Sequence, residues 1–156
     1  MLNRFNKRAS VQQNVTACEL TRKNRLNCFG DMMLFYPGET IDTLKETEEF
    51  IKTAKPTLVW LHLLTPLPKT KVFEDAKKNG TLMGAWKEDS PQPWIKIDGF
   101  DSIESMESHA KRMRIRILLN PRRLLWVMQS FGATIIKNPS NSLAVINSIL
   151  FGKSKY

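Results

Sequence analysis

The sequence predicts an α/β fold in which parallel strands are covered by helices and further helices follow at the C-terminal end. Two observations carry that expectation. Residues 29–36 and 57–64 are short, nearly continuous apolar runs, each followed by a proline-containing loop and a helix with one apolar face. Beyond residue 101 only helical spacing remains. Strands that read as continuous apolar runs belong to parallel sheets buried on both faces, whereas antiparallel sheets with one wet face alternate.

Residues 11–27 are mostly polar and read as a helix that turns Val15, Cys18 and Leu26 toward the core. The run Phe29-Gly30-Asp31-Met32-Met33-Leu34-Phe35-Tyr36 has strand length and stops at Pro37-Gly38. Thr40 can cap a helix over 40–54, with Ile41, Leu44, Ile51 and Ala54 on one face. Lys45, Glu48, Glu49 and Lys52 are expected to point outward. Pro56 closes that helix, and residues 57–64 form the second strand.

Residues 65–70 make a rigid turn, and Thr70 caps a helix bearing Val72, Phe73 and Ala76 that ends at Asn79-Gly80. Residues 81–101, with Trp86, Pro91, Pro93 and Trp94, read as an irregular packed loop. Asp101 and Glu104 supply a capping box for a helix whose stripe is Ile103, Met106, Ala110, Met113 and Ile117. Asn120-Pro121 ends it and opens another with Leu124, Leu125 and Met128, stopped by Gly132; a last helix is expected over 142–151. The chain thus divides near residue 100, into a strand-bearing part over 1–100 and a basic helical extension over 101–156 packed on it.

A chain of 156 residues, 42% hydrophobic and 25% charged, can bury a core and is unlike a disordered sequence. It is short for an enzyme barrel of about 250 residues. No apolar run approaches the roughly 18 residues of a membrane span, and residues 1–8 lack a signal-peptide stretch, so the cytoplasm is the expected location. The net charge of +9 is uneven: fifteen bases balance fifteen acids up to residue 107, and nine bases with no acid follow. Cys18 and Cys28 match no close-spaced zinc or redox pattern and are expected to be reduced, inert thiols.

The stretch Met32-Met33-Leu34-Phe35-Tyr36-Pro37-Gly38-Glu39-Thr40, followed by a helix and by Leu63-Leu64-Thr65-Pro66-Leu67-Pro68-Lys69-Thr70, resembles radical S-adenosylmethionine enzymes. The branch it resembles often carries a cobalamin-binding domain. The resemblance, over residues 15–130 or so, implies a partial (β/α) barrel whose two loops face S-adenosylmethionine, with Tyr36, Pro37, Gly38, Glu39, Leu64 and Thr65 as cofactor-binding residues. It also implies a 4Fe-4S cluster and, in some members, cobalamin in the complete enzyme. No C-x-x-x-C-x-x-C is present, so the chain is expected to be a fragment, a split-gene product or a degenerate relative, inactive without a partner that supplies the N-terminal barrel and the cluster. Phe35 and Lys69 stand where that family has glycine.

Strand-to-helix loops of parallel sheets lie at the edge where such folds bind ligands, so both proline loops should face one cleft. The helix start near Thr40 would offer N–H groups to an anionic or polar group, and Glu39 is read either as a rim carboxylate or as an acid favourable to that helix N-terminus. His62 is expected to be hydrogen-bonded within its sheet, with a substrate contact or a general base as the other reading. His109 is expected to be an ordinary helix-flank residue, and Trp60, Trp86, Trp94 and Trp126 to serve burial. No catalytic or metal-binding residue is assigned. The alternative function is a basic module for nucleic acid or an anionic surface, centred on Arg112, Arg114, Arg116, Arg122 and Arg123.

Overall fold

The computed structural model describes residues 7–86 and 92–121 and the single positions 125 and 136. In chain order these form α1 (Val11–Lys23), β1 (Phe29–Leu34), α2 (Ile41–Ala54), β2 (Leu58–Leu63), α3 (Lys71–Lys78), β3 (Leu82–Met83), β4 (Trp94–Ile95) and α4 (Ile103–Leu118). The helices expected after Pro121 fall outside the described residues, apart from isolated positions.

Local chemistry sets the helix ends. Ser10 and Gln13 form a capping box on α1, and Thr40 and Thr43 form one on α2, each satisfying backbone N–H groups that helical bonding leaves over. On α4 the box is Ser102 with Ser105, one residue later than the expected Asp101 and Glu104. A serine hydroxyl reaches the N–H three residues on as well as a carboxylate does, and sequence spacing alone does not separate the two. α1 stops at Lys23, short of the expected residue 27, because Arg25 takes a left-handed conformation with φ 58°. Leu26 is consequently 60% exposed, against expectation.

β1 and β2 pair in parallel, Phe29 opposite Leu58 through Leu34 opposite Leu63. One face of this pair is covered: Leu34, Val59 and Leu61 pack with Leu44 and Ile51 of α2 and Met106, Ala110, Met113 and Ile117 of α4. Leu34, Met113 and Ala110 have essentially no exposure, so the α4 stripe is core, as its spacing predicts. The expected burial of β1 on both faces does not hold. Phe29 and Met33 are each 53% exposed, and Asp31 lies between them on the same face.

The partial barrel is also not found. The described residues hold a two-stranded parallel sheet and a separate two-stranded antiparallel one, β3 with β4, in the segment read as an irregular loop. The physical reason lies at Gly84 and Pro93. Gly84, at φ 78°, turns the chain after only two strand residues, and Pro93 just before β4 has no N–H to give a ladder, so this segment makes a short ribbon rather than a third parallel strand.

Tertiary polar contacts join the layers. Arg114 of α4 donates from Nη2 to the Leu61 carbonyl at 2.7 Å, and Arg22 of α1 donates to the Ala54 carbonyl at the end of α2 at 3.2 Å. Glu48, expected to face solvent, is 8% exposed and ion-paired with Arg116 of α4. Its position on α2 falls beside the core stripe, and the partner that makes burial tolerable comes from 68 residues away, where sequence periodicity does not look.

Candidate functional site

The C-terminal ends of β1 and β2 lie side by side. The Leu64 N–H donates to the Leu34 carbonyl at 2.9 Å, extending the ladder past the strands and placing Leu64 and Thr65 next to the loop that leaves β1. That loop is built by its own residues. Phe35 turns the chain at φ 65°, and Gly38 adopts φ 84°, a conformation costly to any side chain with a Cβ. The turn is closed by the Glu39 N–H donating to the Tyr36 carbonyl at 2.8 Å and by the Tyr36 N–H donating to Glu39 Oε2 at 3.0 Å.

Glu39 is therefore turned inward. It is 5% exposed, and burial pushes its carboxyl above the ordinary carboxylate value, opposed by the Tyr36 and Phe35 N–H groups. The side chain shapes the loop; Tyr36 and Pro37 are half-buried beside it and Gly38 is exposed at its tip. The expected anion seat at the start of α2 is reduced as well. Thr40 Oγ1 already accepts the Thr43 N–H, and Asp42 puts a negative charge in the first turn.

On the second loop, Leu64 and Thr65 are half-buried, and the Thr65 hydroxyl lies 3.3 Å from Gln92 Oε1. Gln92 in turn lines a cleft of about 320 Å³ with Gly84, Ala85, Trp94, Ser102 and Ile103, at the N-terminal end of α4. Trp86 closes over this loop by donating its indole N–H to the Pro66 carbonyl at 2.9 Å. Lys69, in the same loop, is left-handed at φ 67°. Both positions where the resembled pattern has glycine, Phe35 and Lys69, thus carry positive φ without being glycine.

Below this rim, the open face of the sheet carries side chains at alternate positions of both strands. His62 Nε2 lies 3.2 Å from Asp31 Oδ1, and the Phe29 and Trp60 rings lie 5.6 Å apart at 31°. His62 thus has the acid partner that the sequence did not reveal. Asp31 and His62 are 31 positions apart, and only the parallel register makes them diagonal neighbours; period-two spacing along each strand is the signal that places them on one face. His109 is more than a flank residue. It packs edge-on against Phe100 at 5.2 Å and Phe35 at 6.4 Å, and burial, with Arg112 and Arg116 nearby, lowers its pKa. Trp94 lies half-buried in β4, and Trp126 falls outside the described residues.

Among the described residues no group of three or more His, Cys, Asp and Glu side chains could hold a metal ion, and no helix is long and apolar enough to cross a membrane. Of the basic residues after 107, Arg114 and Arg116 are engaged by Leu61 and Glu48. Arg122 and Arg123 fall outside the described residues.

No family model matches the chain, and no solved structure matches it significantly. Over 145 residues it is 25% identical to a protein of Pyrococcus horikoshii named an uncharacterized methyltransferase, an alignment that covers 92% of this chain. The chain spans 31% of the length of that curated relative. The likeness found is to a methyltransferase, so the assignment to radical S-adenosylmethionine enzymes is corrected, and the iron–sulfur cluster and cobalamin drawn from it are without support.

Proposed function

We propose that this chain forms part of the S-adenosylmethionine pocket of a methyltransferase. The loops at 36–39 and 64–65 would line the cofactor, and the Asp31–His62 pair would face the methyl acceptor. The observation that carries this reading is the pairing of Leu64 with Leu34, which sets two strand-to-helix loops side by side at the C-terminal edge of parallel strands. Ligands of open α/β sheets bind at that edge. The similarity to a named methyltransferase supports S-adenosylmethionine as the ligand.

The residues present fit an adenosyl group. Tyr36, Pro37, Leu64 and Thr65 are half-buried and combine apolar surface with hydroxyl groups, the mixture that small-molecule sites use. Glu39 holds the loop in shape from beneath and Gly38 lets the backbone approach closely. Bound S-adenosylmethionine would supply an electrophilic methyl on a sulfonium. His62, with Nε2 toward Asp31, would take on Nδ1 the proton that the acceptor gives up, and Asp31 would stabilise the imidazolium.

The test is calorimetric titration of the chain with S-adenosylmethionine and S-adenosylhomocysteine, alongside salt-dependent titration with RNA. Saturable cofactor binding that Tyr36→Ala and Thr65→Ala each weaken several-fold, in proteins that stay folded, is the expected result. Absence of cofactor binding together with tight, strongly salt-sensitive RNA binding would replace this reading with the polyanion module.

A further inference from the structure

We propose that Cys18 and Cys28 are a reversible dithiol–disulfide pair that clasps α1 to the head of β1, with a low-molecular-weight disulfide as the oxidant. Their sulfurs lie 3.4 Å apart, close enough for one thiol to donate to the other, although the residues are ten positions apart, one within α1 and the other just before β1. Both residues are half-buried, so a small reagent has access to them.

The placement follows from the fold. Cys18 lies three residues after Val15, the buried residue of α1, and so shares the helix face turned to the protein. Cys28 is held firmly: its N–H donates to Thr57 Oγ1 at 2.9 Å, and its carbonyl accepts from the Thr57 N–H at 2.6 Å and the Leu58 N–H at 3.3 Å. α1 is held more lightly. Val15 is its one buried residue, and among the described residues Arg22 donates to the Ala54 and Lys55 carbonyls at the end of α2. A bond between the sulfurs would join the lightly held helix to the firmly held strand. Closing from 3.4 Å to the roughly 2.0 Å of a disulfide asks for a shift that α1 can supply. A metal ion is a weaker occupant, because no third His, Cys, Asp or Glu joins the two sulfurs among the described residues.

The chemistry balances as thiol–disulfide exchange. The Cys28 thiolate attacks one sulfur of the oxidant, forming a mixed disulfide and releasing one reduced thiol. Cys18, losing its proton, then attacks the Cys28 sulfur and releases the second reduced thiol. Two protein thiols are oxidised, one external disulfide is reduced, and the protons end on the two released thiols. Burial and the neighbouring Cys28 push the Cys18 thiol up to about 11.

The test is equilibration of the full chain with oxidised and reduced glutathione, followed by acid quench, intact mass and non-reducing peptide mapping. The expected product has lost two hydrogens, carries a peptide linkage between residues 18 and 28, and holds no glutathione. Cys18→Ser should instead trap glutathione on Cys28. The oxidised chain should melt at a higher temperature than the reduced one, and amide exchange across α1 should slow by about tenfold or more. Cys28→Ser should abolish both differences. Separate glutathione adducts on each cysteine, bonds between chains in place of the 18–28 linkage, or an oxidised form that melts lower would overturn the proposal.

Discussion

Arg116 of α4 lays its guanidinium fork on the carboxylate of Glu48 in α2, Nε donating to Oε2 at 3.3 Å and Nη2 to Oε1. The pair ties α4 to α2 through a carboxylate that is 8% exposed. Removing the arginine strands a nearly buried charge, whereas removing the acid leaves a half-exposed cation that water can solvate. Arg116→Met should therefore cost more than Glu48→Gln, about 2 kcal/mol against about 1 kcal/mol. Chemical denaturation of both single variants and the double variant measures the coupling, and equal effects would contradict this geometry.

Lys69 and Phe35 share a left-handed backbone and differ in burial, so glycine should act oppositely at the two positions. Lys69 is exposed, and Lys69→Gly relieves the strain at φ 67° for a gain of about 0.5–1 kcal/mol. Phe35 is 1% exposed and meets Phe100 edge-on with ring centroids 5.1 Å apart. There the lost packing outweighs the relieved strain, and Phe35→Gly should destabilise by about 3 kcal/mol. Thermal melts of the two variants check the signs.

One buried and one half-buried titratable group give acid stability curves of opposite slope. Burial lowers the His109 pKa, so the unfolded chain binds more protons below the ordinary value of 6.5 and stability falls as pH drops through that value toward the lowered one. Burial raises the Glu39 pKa, so the folded chain binds more protons above the ordinary value of 4.5, and stability falls as pH climbs from there through the raised one. His109→Phe should flatten the first slope and Glu39→Gln the second. Urea midpoints measured between pH 4 and 7 provide the check.

The open face of β1 and β2 presents Phe29 and Met33, each 53% exposed, beside Trp60. Apolar surface at an unpaired sheet promotes association. Met33→Lys should shift sedimentation toward the monomer without lowering stability by more than about 0.5 kcal/mol, because Met33 lies outside the core. Unchanged sedimentation would assign the association to another surface.

The α2 and α4 helices were legible because their apolar residues recur at three and four with a capping residue in front, and both strands were legible as apolar runs bounded by proline. The rim loops were legible too, since proline and glycine fix where a strand must stop. What sequence did not show was how many strands would join, because Leu82-Met83 and Trp94-Ile95 are too short to announce a ribbon. Nor did it show Glu48 with Arg116, Asp31 with His62 or Cys18 with Cys28. Each of these pairs exists through tertiary placement; spacing along a strand can put Asp31 and His62 on one face, but it does not say which residues of the two elements meet.

The Arg114 contact sets a direction of growth for the parallel sheet. Leu58 and Leu64 use their N–H groups toward β1, so the odd-numbered residues of β2 present their backbone groups to its other edge, where the Leu61 carbonyl is held by Arg114 at 2.7 Å. A strand arriving on that side would have to displace a guanidinium from its acceptor before its own ladder could form. Among the described residues the side of β1 away from β2 carries no such plug, so a further strand would meet the lower barrier there.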